Sequence, residues 1–98
     1  MYFEGKSICI SGKISGYSRT QVKNYLEQLN AVFKPNVSDK LDILVMGHIQ
    51  LNLFYEQRKT TKQMKAEKLI SEGSGITILS EENFISLLRD DLSLRVND

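Results

Sequence analysis

A chain of 98 residues, 41% hydrophobic and 26% charged, has the make-up of an ordinary globular domain, with room for one core and not two. Its single cysteine excludes an internal disulfide and favours a reducing, intracellular home; its single histidine excludes zinc sites built from several His and Cys ligands. The net charge of +1 conceals eleven Lys/Arg against six Asp/Glu before residue 69 and two against six from there on, so a basic face for a polyanion is open to this chain.

From the N-terminus, Lys6–Ser11 reads as a strand, because Ile8, Cys9 and Ile10 form a short apolar run suited to burial on both faces. Cys9 inside that run is expected to be a buried structural thiol. Gly12–Tyr17 is a loop with two glycines. Ser18 opens a helix: Ser18-x-x-Gln21 has the form of a capping box, and Val22, Tyr25, Leu26 and Leu29 follow at i, i+3, i+4 and i+7. Asn30 ends it, being one of the few non-glycine residues that tolerate a left-handed turn. Ala31–Lys34 is a short second strand closed by Pro35, and Leu41–Met46 is a third, terminated by Gly47. Residues 48–59 carry apolar side chains without a clear period and read as a long loop with room for a helical turn.

Thr60-x-x-Gln63 repeats the capping-box pattern and opens a helix to about Ser71, with Ala66, Leu69 and Ile70 facing inward. Gly73-Ser74-Gly75 breaks the chain and Ile76–Leu79 is the fourth strand. Ser80, followed by Glu81 and Glu82, starts a third helix whose core face is Phe84, Leu87 and Leu88. Residues 1–90 are expected to form the single domain and 91–98, which lack periodicity, a flexible tail. The order β-α-β-β-α-β-α predicts an α/β fold, a mainly parallel four-stranded sheet with helices on both faces.

Catalysis finds little support in this pattern. Gly5-Lys6-Ser7 imitates the end of a nucleotide-binding loop, but the spacer and the earlier glycine are missing and the segment opens a strand instead of closing one. His48 stands alone in a loop, and the carboxylates are scattered without a spacing suited to acid–base work. No cofactor and no metal are expected. An anion site is the stronger candidate. In open α/β sheets ligands bind beyond the carboxyl ends of strands, and there Ser11 offers a hydroxyl and Gly12 an unencumbered N–H. Arg19 in the first turn of one helix and Lys62 in the first turn of another can add cations, and helix N-termini favour anions. The spacing equally permits a plainer reading, in which Gly12 only makes a turn and both basic residues are solvated.

The chain resembles BRCT domains, in particular the single BRCT modules of NAD-dependent DNA ligases and of the large subunit of the eukaryotic clamp loader, replication factor C. The resemblance rests on Phe3-Glu-Gly-Lys-Ser-Ile-Cys-Ile-Ser-Gly12, Ser18-Arg19, Val37-Ser38, Leu44-Val-Met-Gly47, Thr61-Lys62-Gln-Met-Lys65-Ala66 and Ile78-Leu-Ser-Glu-Glu-Asn-Phe84, in that order over about residues 3–88. It implies a four-stranded parallel sheet with helices one and three on one face and helix two on the other. It also implies phosphate binding by Ser11, Gly12 and Lys62, with Arg19 and Lys65 added as in modules that hold the 5′-phosphate end of duplex DNA. Three departures stand out: Leu29-Asn30 replaces the family's Gly-Gly, Phe84 its helix-three tryptophan, and residues 48–59 are longer than in ligase-type modules. Leu51, Leu53, Phe54 and Tyr55 there can pack on the core or mediate self-association, and Arg58 and Lys59 can extend the pocket.

The expected function is therefore a non-enzymatic module that binds DNA, preferably at 5′-phosphorylated ends or breaks, in replication or repair. The alternative is a protein-interaction module that docks or dimerises without phosphate; the resemblance makes phosphopeptide binding the weaker option, since it generally takes two such repeats. Replication or repair proteins and a second copy of the chain are the protein partners expected. No signal-peptide pattern and no apolar run long enough to span a bilayer is present, so no membrane partner is expected and the setting is bacterial cytoplasm or nucleus.

Overall fold

The computed structural model describes residues 1–47 and 60–97. The long loop expected at 48–59, with His48, the apolar Leu51, Leu53, Phe54 and Tyr55, and the basic Arg58 and Lys59, lies outside the described residues. The elements run in the expected order: β1 (Ser7–Ser11), α1 (Arg19–Gln28), β2 (Val32–Phe33), β3 (Ile43–Met46), α2 (Thr61–Ser71), β4 (Thr77–Ser80) and α3 (Glu81–Asn97). The strands form one sheet in the order β2-β1-β3-β4, and each neighbouring pair is parallel.

Strand periodicity assigns the two faces. Ile8 and Ile10 of β1, Ile43 and Val45 of β3 and Leu79 of β4 pack with Val22, Leu26 and Leu29 of α1 and Phe84 and Leu88 of α3. Cys9 and Leu44, the alternate positions, pack on the other face with Ala66 of α2 and with Val37, Leu41 and Ile76. Helices α1 and α3 thus cover one face and α2 the other. Phe84, standing where the resemblance expects a tryptophan, is fully buried and meets the Phe3 ring edge-on at 5.5 Å. Burying a side chain of that size contributes about 2–3 kcal/mol.

The helix starts follow local chemistry. Ser18 caps α1 with a complete capping box, its side chain accepting from the Gln21 N–H while the Gln21 side chain accepts from the Ser18 N–H. Thr60 caps α2 with half of one: it accepts from the Gln63 N–H, but the Gln63 amide turns to Glu67. The Ser80 hydroxyl accepts from the Asn83 N–H at the start of α3. Asn30 takes φ 60°, the left-handed turn that the family's second glycine would make.

Three expectations need correction. The second strand is only Val32–Phe33, because the chain bends at Pro35 and Asn36. Ile70 is exposed, so the inward face of α2 is Ala66 with Leu69 half-buried. The third helix does not end near Asp90. It runs to Asn97, and Asp91 lies buried within it, its two carboxylate oxygens accepting the N–H groups of Tyr2 and Phe3 at 2.9 Å each. A carboxylate at a core position breaks the apolar stripe in the sequence, yet here it ties the start of the chain to its last helix.

Candidate anion-binding site

The strand order makes β1 and β3 a switch point: β1 leads through α1 to β2 on one side, and β3 leads towards α2 and β4 on the other. The carboxyl ends of β1 and β3 and the starts of α1 and α2 consequently meet at one edge of the sheet. Gly47 closes the strand pair there, its N–H donating to the Ser11 carbonyl at 2.7 Å.

One backbone atom organises the edge. Lys6 and Ile8 direct their carbonyls at β2, accepting from the Val32 N–H at 2.9 Å and the Lys34 N–H at 2.8 Å. Two residues further along, Ile10 points the same way, but the bend at Pro35 has carried the next ladder donor off. A buried carbonyl without a partner costs about 1–3 kcal/mol. Two cations meet that need: the Arg19 guanidinium donates to the Ile10 oxygen at 3.1 Å from one side of the sheet, and the Lys62 ammonium at 3.2 Å from the other. The Arg19 guanidinium also sits 5.8 Å from the centre of the Phe33 ring.

Around these groups lies an open notch of about 470 Å³, bounded by Ser11, Gly12 and Lys13 at the end of β1, Arg19 of α1, and Thr60, Thr61 and Lys62 at the start of α2. Three of these described residues are cationic and none is a carboxylate. Gly12 has φ 86°, a left-handed conformation that turns the chain sharply after Ser11. Ser11 is 3% exposed, and its hydroxyl donates to the Thr60 hydroxyl oxygen at 2.9 Å. Thr60 also accepts from the Gln63 N–H, so its hydroxyl oxygen takes two hydrogen bonds at the edge of the notch. Beneath the notch, burial holds the Cys9 thiol above its ordinary range; the charges of Lys62 and Arg19 pull the other way without cancelling it.

Of the residues singled out in the sequence, Ser11, Gly12, Arg19 and Lys62 come together at this notch. Lys65 is exposed on α2, three residues beyond Lys62, and does not line it. Three lining residues, Lys13, Thr60 and Thr61, escaped the sequence reading. Lys13 was given no role in the sequence, although its place directly after Gly12 was a usable signal. Thr60 looked only like a cap, yet a capping hydroxyl at the sheet edge faces whatever Ser11 faces.

Residues 1–88 match the family described as the BRCA1 C Terminus (BRCT) domain. A DNA ligase of Clostridium perfringens (strain SM101 / Type A) is 36% identical over 86 residues, 88% of this chain and 11% of the ligase. A DNA ligase of Cytophaga hutchinsonii is 37% identical over 86 residues, with the same shares of each. The chain thus spans only about a tenth of the length of these curated relatives. Among solved structures, the C-terminal BRCT domain of human XRCC1 aligns with a TM-score of 0.61 at 15% identity, covering 91% of this chain and 80% of that one, a likeness of fold alone. With a family match running from Met1 into α3, this chain belongs to the BRCT family.

Proposed function

We propose that this domain is a non-enzymatic module that binds DNA at 5′-phosphorylated ends or breaks, inside the cell and in replication or repair. The observation that carries the reading is the convergence of Arg19, Lys62 and Lys13 with the Gly12 backbone on one notch whose described lining holds no carboxylate. A terminal phosphate would take further N–H groups of Arg19, a second hydrogen of the Lys62 ammonium, the Gly12 N–H and the hydroxyl of Thr60, to which Ser11 donates. Lys65, further along α2, would meet the next phosphate of the strand. Such contacts supply affinity and salt sensitivity with little sequence preference. That the curated relatives are DNA ligases supports a setting at DNA ends.

A second reading, docking or dimerisation without phosphate, is favoured by a different observation. Arg19 and Lys62 already have an acceptor in the Ile10 carbonyl, so the cluster is satisfied as it stands. Fluorescence anisotropy with matched duplexes, one ending in a 5′-phosphate and one in a 5′-hydroxyl, separates the two across a salt series. The proposal expects tighter binding to the phosphorylated end, with the difference shrinking as salt rises. Equal affinities would remove end recognition, and a concentration-dependent dimer without DNA binding would establish docking.

A further inference from the structure

We infer that a second cavity, opening beside the notch, takes the terminal nucleoside that carries the 5′-phosphate, with its base swung out of the duplex. This rests on the reading proposed above and adds what the site does with the nucleotide behind the phosphate.

The cavity has a volume of about 360 Å³ and lies between the end of β1, the loop after it and the start of α1. That is the small end of the roughly 300–1,000 Å³ range of ligand pockets, room for a base with its sugar. Ile10 and Ile14 give it apolar walls and Tyr17 an aromatic one. It shares Gly12, Lys13 and Arg19 with the anion notch, so the two hollows adjoin. Gly12, which lines both, adds no side chain to the boundary between them. An anion held in one hollow therefore delivers whatever is bonded to it to the mouth of the other.

The aromatic wall is fixed before any ligand arrives. The Tyr17 ring meets the Tyr25 ring edge-on at 6.0 Å, and the Tyr17 N–H donates to the Ile14 carbonyl at 3.2 Å. The loop between is tied down, because the Ser15 N–H donates to the Glu81 carboxylate. A planar ring entering here would meet an aromatic ring, apolar side chains and a guanidinium in the lining, the kinds of group that hold unpaired bases. A base at a strand end is also among the easiest to extrude, since it is stacked on one side only.

The test uses the full chain and duplexes with a one-nucleotide 5′ overhang, either adenosine or an abasic tetrahydrofuran, each with a 5′-phosphate or a 5′-hydroxyl. Anisotropy should show the phosphorylated adenosine end binding roughly tenfold tighter than the phosphorylated abasic end. Tyr17→Ala should bring the two within about twofold while keeping the preference for phosphate, and Tyr17→Phe should restore the difference. A 2-aminopurine at the overhang should lose fluorescence on binding. The wild-type comparison stands whether or not the alanine variant folds. Phosphate preference with no difference between adenosine and abasic ends overturns the nucleoside pocket and leaves the end-binding reading intact. Loss of the phosphate preference itself overturns both. Tighter binding of a phosphoserine peptide with a neighbouring aromatic residue would hand the cavity to a peptide side chain instead.

Discussion

Arg19 and Lys62 come from helices on opposite faces of the sheet and donate to the same oxygen, that of Ile10. Each therefore has a structural role and still presents unused N–H groups to the notch. Because the notch is open, water can take over the Ile10 carbonyl when one cation is removed, so Arg19→Ala and Lys62→Ala should each change stability by no more than about 1 kcal/mol. Their effect on DNA binding should be larger. Each should lower the slope of log affinity against log salt by about 0.9, the value for one phosphate contact, in a salt titration followed by anisotropy. An unchanged slope in both variants would place the phosphate contact elsewhere. Cys9 offers a separate check at this scale. Its thiol is fully buried and holds its proton more tightly in the folded chain than in the unfolded one. Below the ordinary value of 9.0 neither state ionises and the full contribution of Cys9 is present; above it the unfolded chain loses the proton first, so stability declines with rising pH. Urea unfolding at several alkaline pH values should show a shallower decline for Cys9→Ala than for the parent chain. At neutral pH an aromatic disulfide reagent should leave the native thiol untouched and label it on unfolding.

Among the elements, the tightest constraint joins the end of β3 to the loop after β1. A side chain at Gly47 would place its first carbon 2.6 Å from the Lys13 carbonyl oxygen, a backbone atom that cannot step aside. Gly47→Ala should cost about 1–3 kcal/mol in denaturant unfolding and weaken anion binding as well, since the loop it displaces carries Gly12 and Lys13. A variant of unchanged stability would show that the loop moves freely. Much at this scale was legible in the residues. The apolar run Ile8–Ile10, the Ser18 box, the Asn30 turn and the stripe of Val22, Leu26 and Leu29 each state a local preference that the tertiary structure also wants. What was not legible depends on partners distant in the chain. Ile70 satisfies a helical period but is exposed, because Ala66 and the half-buried Leu69 already supply the contact of α2 with the sheet. The strand before Pro35 is shorter than its composition suggests, since the bend begins where pairing would have continued. Lys13 needed the fold as well: its place after Gly12 hints at the notch, but only the structure shows it bordering two hollows.

Over the whole molecule, Asp91 ties the first described residues to the last described helix. Its carboxylate holds the N–H groups of Tyr2 and Phe3, and Phe3 in turn packs on Phe84, so the first residues and the last helix form one cooperative unit. Asp91→Ala would leave two donors near the core without an acceptor and should destabilise the chain by about 2–4 kcal/mol, read as a lower urea midpoint. Removing residues 91–98 should do at least as much. A truncated chain as stable as the parent would return that segment to the status of a tail. The sequence hid this arrangement because an acidic residue in a helix reads as solvent-facing, and only the N-terminal amides, 88 and 89 positions away, reveal its purpose.

The oxygen of Ile10 has a mechanical consequence too. Helices α1 and α2 belong to separate hydrophobic clusters with the sheet between them, and this single atom is bonded to a side chain from each. It works as a rivet through the sheet: a pull on the arginine from above is felt by the lysine below. Substitutions at the two positions should therefore fail to add, and whatever draws one cation outwards loosens the grip of both layers on the same point.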